Sequence, residues 1–154
     1  MPIPRAVAVV LDGPRVLVIK RFRRDPGFAS CNLCREAAAP GPLCPGHRYA
    51  VLPGGHVEEG ESAETAALRE LTEETTLTGR IERLLWTGRH GARPASYFLM
   101  TGVTGTSVLA GEEAVEHRPD NSFELAWATT ADFERLNLVP SELRGPLAAL
   151  LDAR

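Results

Sequence analysis

The chain has no apolar run that approaches membrane-spanning length, so no stretch of these 154 residues reads as a spanning helix. It also carries little net charge. With 17 basic and 20 acidic residues it sits at −3, and it lacks the broad basic surface on which many nucleic-acid binders rely. Cysteine is scarce: three cannot all pair within one chain, which disfavours a secreted disulfide scaffold. The apolar beginning, MPIPRAVAVVLDGPRVLVIKR, is broken by Asp12, Gly13 and Pro14 and has no small-residue cleavage site. It reads as two strands of a cytoplasmic protein. Repeats, coiled-coil heptads, a helix-turn-helix and a basic extension are all missing. What is present is an ordinary globular composition, 44% apolar and 24% charged, in a length that suits one domain spanning 1–154.

Ala6–Leu11 and Arg15–Arg21 are rich in Val, Ile and Leu around a turn and predict a hairpin. Residues 25–48 are a different material, with prolines, glycines and all three cysteines, and read as an insertion. Tyr49–Leu52 predicts a short strand leading to Pro53, Gly54 and Gly55. Ser62 is a suitable N-cap for a helix from Ala63 to about Thr75. Arg80–Trp86, Ala95–Val103 and Ser122–Ala128 predict strands, and Gly111–Asn121 a polar loop. Thr129–Leu136 and Pro146–Asp152 predict short helices. Strands and helices mixed in this way predict an α/β fold with a mixed β-sheet.

The most informative segment is Gly54 to Leu77, GGHVEEGESAETAALRELTEETTL. On a helix, Glu70, Glu73 and Glu74 stand at i, i+3 and i+4 and share one side. Like charges at that spacing cost roughly 0.2–0.5 kcal/mol per pair. A helix that carries this repulsion points to an external cation, and hard oxygen ligands select Mg²⁺, Mn²⁺ or Ca²⁺ over zinc. Ala63, Ala66 and Ala67 fall on the same broad side, with Leu68 and Leu71 pointing elsewhere, so the carboxylates are expected at the rim of a close contact. The glycine pair lets backbone approach a metal or phosphate. A solvated acidic helix face is the plain alternative.

Gly55, Glu61, Arg69, Glu70, Leu71, Glu73, Glu74 and Leu77 together resemble the signature of the Nudix hydrolases. That signature is Gly, five residues, Glu, seven residues, Arg-Glu, an aliphatic, any residue, Glu-Glu, any residue, Gly, an aliphatic. The one departure is Thr76 in place of glycine. The resemblance implies a Nudix-type α/β/α sandwich and attack of water on a diphosphate with Mg²⁺ or Mn²⁺. It implies metal ligation by Glu70, Glu74 and the Gly55 carbonyl, and Glu73 as third ligand or water-orienting base. Arg69 would hold the glutamates, and Glu61 would be a further ligand or a brace. At Thr76 a left-handed C-cap would strain a β-branched residue, so the helix is expected to run on toward Gly79 or to tolerate the change.

Within the insertion, Cys31-x2-Cys34 and Cys44-x2-His47 are separated by nine residues. This is the spacing of a tetrahedral Cys₃His structural zinc site. So polar and proline-rich a segment cannot hold itself by burial, and zinc would supply the missing stability. One disulfide plus a free thiol, or reactive cysteines near a cleft, are the alternatives. The family pattern lacks this insertion, so zinc rests on spacing alone. It immediately precedes the signature and is in a position to shape the substrate entrance.

Arg21, Arg23 and Arg24 are candidates to meet substrate phosphates, as is the Gly54 backbone; a solvated basic turn is the plainer reading of the arginines. Glu112, Glu113 and Glu116 are candidates for an extra catalytic carboxylate from an otherwise exposed loop. His90 and His117 read as surface residues, His56 lies at a free position of the signature, and Trp86 and Trp127 read as core. The expected partner is a small nucleotide: a nucleoside triphosphate, nucleotide sugar, ADP-ribose or dinucleotide. A non-catalytic nucleotide sensor is the second reading. Zinc-loop contact with nucleic acid ranks last, because only Arg35 and no aromatic lies between the ligands. Oligomeric state, a homodimer included, is left open.

Overall fold

A computed structural model describes residues 2–36 and 43–153. Its strands are β1 (Arg5–Val9), β2 (Leu11–Asp12), β3 (Arg15–Arg23), β4 (His47–Val51), β5 (Gly54–His56), β6 (Thr78–His90), β7 (Arg93–Thr104) and β8 (Asn121–Ala128). The helices are α1 (Asn32–Glu36), α2 (Ala63–Thr75), α3 (Gly111–Glu116) and α4 (Arg144–Asp152). One sheet runs β5-β1-β7-β6, with β1 parallel to β7 and the other pairs antiparallel. In the second, β3 pairs antiparallel with β2, β4 and β8.

Alternation along the strands sorts the core. Val7 and Val9 of β1, with Val16 and Val18 of β3, pack toward Leu143, Leu147 and Leu151 at α4. Ala8, Val10 and Leu17 point the other way and meet Leu71 of α2. Helices thus cover both faces, which is why β1 and β3 read as nearly continuous apolar runs without polar alternation. The arrangement is the expected α/β/α sandwich with mixed pairing. No helix among the described residues is long and apolar enough to cross a membrane.

The expected hairpin is confined to its tip: Leu11 and Asp12 pair with Val16 and Arg15, and β1 then departs into the other sheet. The polar segment 111–121 holds the short α3, and Thr129–Leu136 is only a 3₁₀ turn, Thr130–Asp132, followed by turns. On α2, Leu71 does not point elsewhere. It is buried on the same face as Ala66, Ala67 and Glu74. Nor does the helix run on to Gly79: it ends at Thr75, and Thr76 itself takes the left-handed position at φ 63°. Its N–H bonds Thr72 O and its hydroxyl donates to Thr106 O at 2.8 Å, contacts that offset part of the strain.

Candidate active site

The box residues converge because α2 lies across the start of β1 and β5. Ser62 caps the helix by accepting from the Thr65 N–H at 3.1 Å. Gly54 and Gly55 are set by close approach: an added Cβ on Gly54 would come within 2.5 Å of Ala6 O. One on Gly55 would come within 2.4 Å of the Glu70 carboxyl. Only glycine lets β5 press against the helix here.

Arg69 organises the acids. It donates to both Glu61 oxygens at 2.8 and 2.9 Å, to Glu70 at 3.0 Å, to Glu73 at 3.1 Å and to His56 O at 2.9 Å. The Arg69 bonds and the Glu58 backbone N–H hold the Glu61 carboxyl down to about 2. The same contact with Glu61 raises Arg69 further. Glu74 is not at the rim. It is 3% exposed and accepts from Gly54 N–H at 3.0 Å. Burial, then the charges of Glu113 and Glu70, push its carboxyl far above the usual carboxylate range.

Arg69, Glu70, Glu73 and Glu74, but not Glu61, line a pocket of about 600 Å³ with Gly54, Gly55, His56 and Arg5. It gathers Glu58, Glu70, Glu73, Glu74, Glu112 and Glu113 against Arg5 and Arg69. The six acids supply the hard oxygen donors that a divalent cation takes, although among the described residues no three of them stand together at ligand distance. The expected third member of the cluster stands apart: Glu73 is exposed and turned toward Arg69.

Of the three loop acids, Glu112 and Glu113 reach this pocket, whereas Glu116 lines a larger cleft of about 950 Å³ with Arg21, Arg23, Arg24, Arg118 and Phe123. The means of delivery is local. Ala110 N–H bonds Glu74 O and Val108 N–H bonds Thr75 O, so the loop satisfies the last carbonyls of α2 and carries Glu113 over the box. Burial, and then Glu70 and Glu112, raise the Glu113 carboxyl.

Arg21 and Arg23 lie in the larger cleft and not in the box pocket. Arg21 spends its donors in plane on Ser122 O at 3.3 Å, Tyr49 Oη at 3.3 Å and Asn121 Oδ1. Its face lies 3.8 Å from the Phe123 ring centroid. Arg23 pairs with Asp25 at 3.4 Å and Arg24 with Asp120 at 3.2 Å. His117 is exposed, but His90 is part-buried beside Arg5. Trp86 and Trp127 are both part-buried against the core clusters. The sequence reading missed Arg5. A single charge at the head of an apolar strand is its only signal.

The three cysteines are buried together, and none is disulfide-bonded. Cys31 Sγ and Cys44 Sγ are 3.7 Å apart, Cys34 Sγ and His47 Nε2 3.2 Å, and all four ligand atoms lie within 4.8 Å of one another. A tetrahedron with metal–sulfur bonds of about 2.3 Å has edges of about 3.8 Å, so the set fits zinc. Burial, then hydrogen bonds with Cys44 and Cys31, push the Cys34 thiol up to about 12. His47 is also the first residue of β4, opposite Arg23 in register, so the cluster closes the β3–β4 hairpin.

The fold resembles solved structures over nearly its whole length. The Escherichia coli ORF135 protein matches with a TM-score of 0.62 at 19% identity, over 99% of this chain and 92% of that one. A MutT protein from work on Aliivibrio salmonicida and Vibrio cholerae matches at 0.61 and 19%, over 99% and 98%. A MutT NUDIX hydrolase from Burkholderia pseudomallei matches at 0.56 and 25%, over 85% of each chain. No curated protein matches the sequence. The family profile of the NUDIX domain, by contrast, covers residues 2–149, and with it the glutamate-lined pocket and the sheets around it, so the chain belongs to the Nudix family and is a pyrophosphohydrolase of that type.

Proposed function

We propose that the protein hydrolyses, with Mg²⁺ or Mn²⁺, a diphosphate bond in a nucleoside diphosphate linked to another group. The observation that supports this most is the box pocket, where six carboxylates face two arginines and Glu74 is buried without a cationic partner. Nucleoside triphosphates, nucleotide sugars, ADP-ribose and dinucleotides fall within the class. Glu70, Glu74 and the Gly55 carbonyl would hold the cation, with Glu73 as a further ligand. When bound, the cation neutralises phosphate oxygens, lowers the pKa of the attacking water and stabilises the leaving group.

The chain's own groups do the rest. Glu73, the most exposed of the three, would orient the water and accept its proton. Arg69 fixes Glu61, Glu70 and Glu73 by charge-assisted bonds, which leaves Glu61 as a brace of the loop or an outer ligand. The Gly54 N–H aims the Glu74 carboxylate. Arg21 and Arg23 would contact the substrate through the larger cleft by exchanging their present partners, and the backbone near Gly54 would do so in the box pocket.

Cys31, Cys34, Cys44 and His47 would hold a structural zinc within one domain that the insertion interrupts. All four ligands come from the protein, so this site would have no open position for chemistry. Pro26, Leu43 and Cys44 of the inserted loop line the larger cleft, which supports a role in shaping the substrate entrance. The expected setting is the cytoplasm, where free thiols persist.

The test is a hydrolysis screen across nucleotide classes with Mg²⁺ and Mn²⁺. Cation-dependent release of two phosphate-containing fragments supports the reading. Nucleotide binding with no turnover for any class would make the protein a sensor.

A further inference from the structure

Arg5 begins β1, opposite His56 of β5 and beside Ala95 of β7. Its side chain lines the box pocket together with Gly54, Gly55, Glu70 and Glu74. It also lines a smaller adjoining pocket of about 230 Å³ that contains Arg21, His90 and Glu113. Its Nε is shut off from solvent and has no hydrogen-bond partner. Among the described residues Arg5 belongs to no ion pair. The residue as a whole is part-buried, so one donor is shut in without a partner while the charge stays within reach of the pocket, and burial lowers its proton affinity.

The charges of Glu74 and Glu70 favour the Arg5 proton, but neither acid makes an ion pair with it. Arg93 at the head of β7 contacts His56 Nε2, and His90 pairs with Arg93 in the β6–β7 register. Arg5 and Arg93 are thus the two positive charges on this side, and burial together with those charges pushes His56 and His90 toward their neutral forms. The acids of the same pocket do not close on these charges: Glu70 is taken by Arg69, and Glu74 by the Gly54 N–H.

We propose that Arg5 is an oxyanion-binding residue of the box pocket, its fork reserved for non-bridging oxygens of the substrate's diphosphate on the side away from the carboxylates. The proposal rests on the pyrophosphohydrolase reading above. A diphosphate has two faces of oxygens. The carboxylates can address one only through a cation, so the other needs a donor from the chain. A guanidinium meets two phosphate oxygens with two parallel N–H bonds, and a desolvated one does so with least competition from water.

The experiment measures binding of methylene diphosphonate, a non-hydrolysable diphosphate, by calorimetry in the presence of Mg²⁺. Thermal unfolding without ligand is recorded alongside. Arg5→Gln is expected to weaken diphosphonate roughly 10- to 100-fold, with Arg5→Lys between it and the native protein. Because the shut-in Nε–H without a partner has been removed, Arg5→Gln is expected to unfold at no lower temperature than the native protein. Unchanged diphosphonate affinity in Arg5→Gln, with the native protein binding well, overturns the role of Arg5 and leaves the hydrolase reading standing. Loss of both stability and affinity in Arg5→Gln, with full affinity in Arg5→Lys, reduces Arg5 to a scaffold charge and also overturns it. A native protein that binds no diphosphonate removes the underlying reading as well.

Discussion

The box pocket and the Cys₃His loop both gather side chains of the types that ligate metals, but they are held in place by different means. In the box, Glu70, Glu73 and Glu74 sit on a capped helix whose alanines and Leu71 are buried against the sheet, and Arg69 ties three glutamates together. The geometry is built by packing. In the loop, among the described residues, the only core is the three cysteines with Leu33 beside them, and the longest regular element is the five-residue α1. There the ligands themselves are the core. The comparison teaches that an oxygen site can be a property of the fold, while a sulfur site can be a condition for local folding.

The largest expected effect follows from the first half of that contrast. Glu70→Gln and Glu74→Gln should each cut cation-dependent hydrolysis on the order of a thousandfold while far-ultraviolet circular dichroism stays native. If either variant unfolds, the packing account of the box fails. Native turnover in both would remove the assigned cation site.

The second half is tested by Cys34→Ser. The native protein should contain one zinc per chain by elemental analysis, and the variant should lose it and become sensitive to protease between residues 31 and 47. Leu43 and Cys44 wall the larger cleft, so KM should rise while kcat stays within about threefold. A fall in kcat like that of Glu70→Gln would show the two regions to be one unit.

A smaller effect comes from the Glu61–Arg69 brace. Glu61 is held well below its ordinary 4.5, so the contact contributes stability above that pH and loses it as pH falls toward about 2. Glu61→Gln should therefore unfold at a lower temperature than the native protein at pH 7, and the difference should close near pH 2. Thermal melts across that range check it. The smallest effect is expected at Thr76→Gly, which relieves a left-handed β-branched residue and should stabilise by about 1 kcal/mol in denaturant titrations. Destabilisation would show that the hydroxyl bond to Thr106 outweighs the strain.

The parts of this molecule legible in the sequence are those whose signals are local. Ser62, the helix period and the three glutamates fixed α2, and two close ligand pairs marked the sulfur cluster without any structure. The β1–β3 arrangement was misread because a strand buried on both faces loses the alternation that would say which sheet it joins. Glu112, Glu113 and Glu116 are indistinguishable in sequence, since the placing of the first two at the box pocket depends on two backbone hydrogen bonds to the end of α2, far away along the chain. The run-on of α2 toward Gly79 fails for a different reason: steric preference alone disfavours Thr76 as a left-handed cap, but tertiary structure supplies its hydroxyl with a partner.

The register of Arg23 opposite His47 has an evolutionary corollary. The two strands stand at ladder distance where the sulfur cluster begins and ends, so the whole excursion could be gained or excised as a cassette without moving a residue of the sheet. Lengthening such a connection raises its closure cost only logarithmically. A shortened chain joining Arg23 to His47 through a two-residue Asn-Gly turn should therefore still assemble its catalytic half, with a different, wider mouth for substrates.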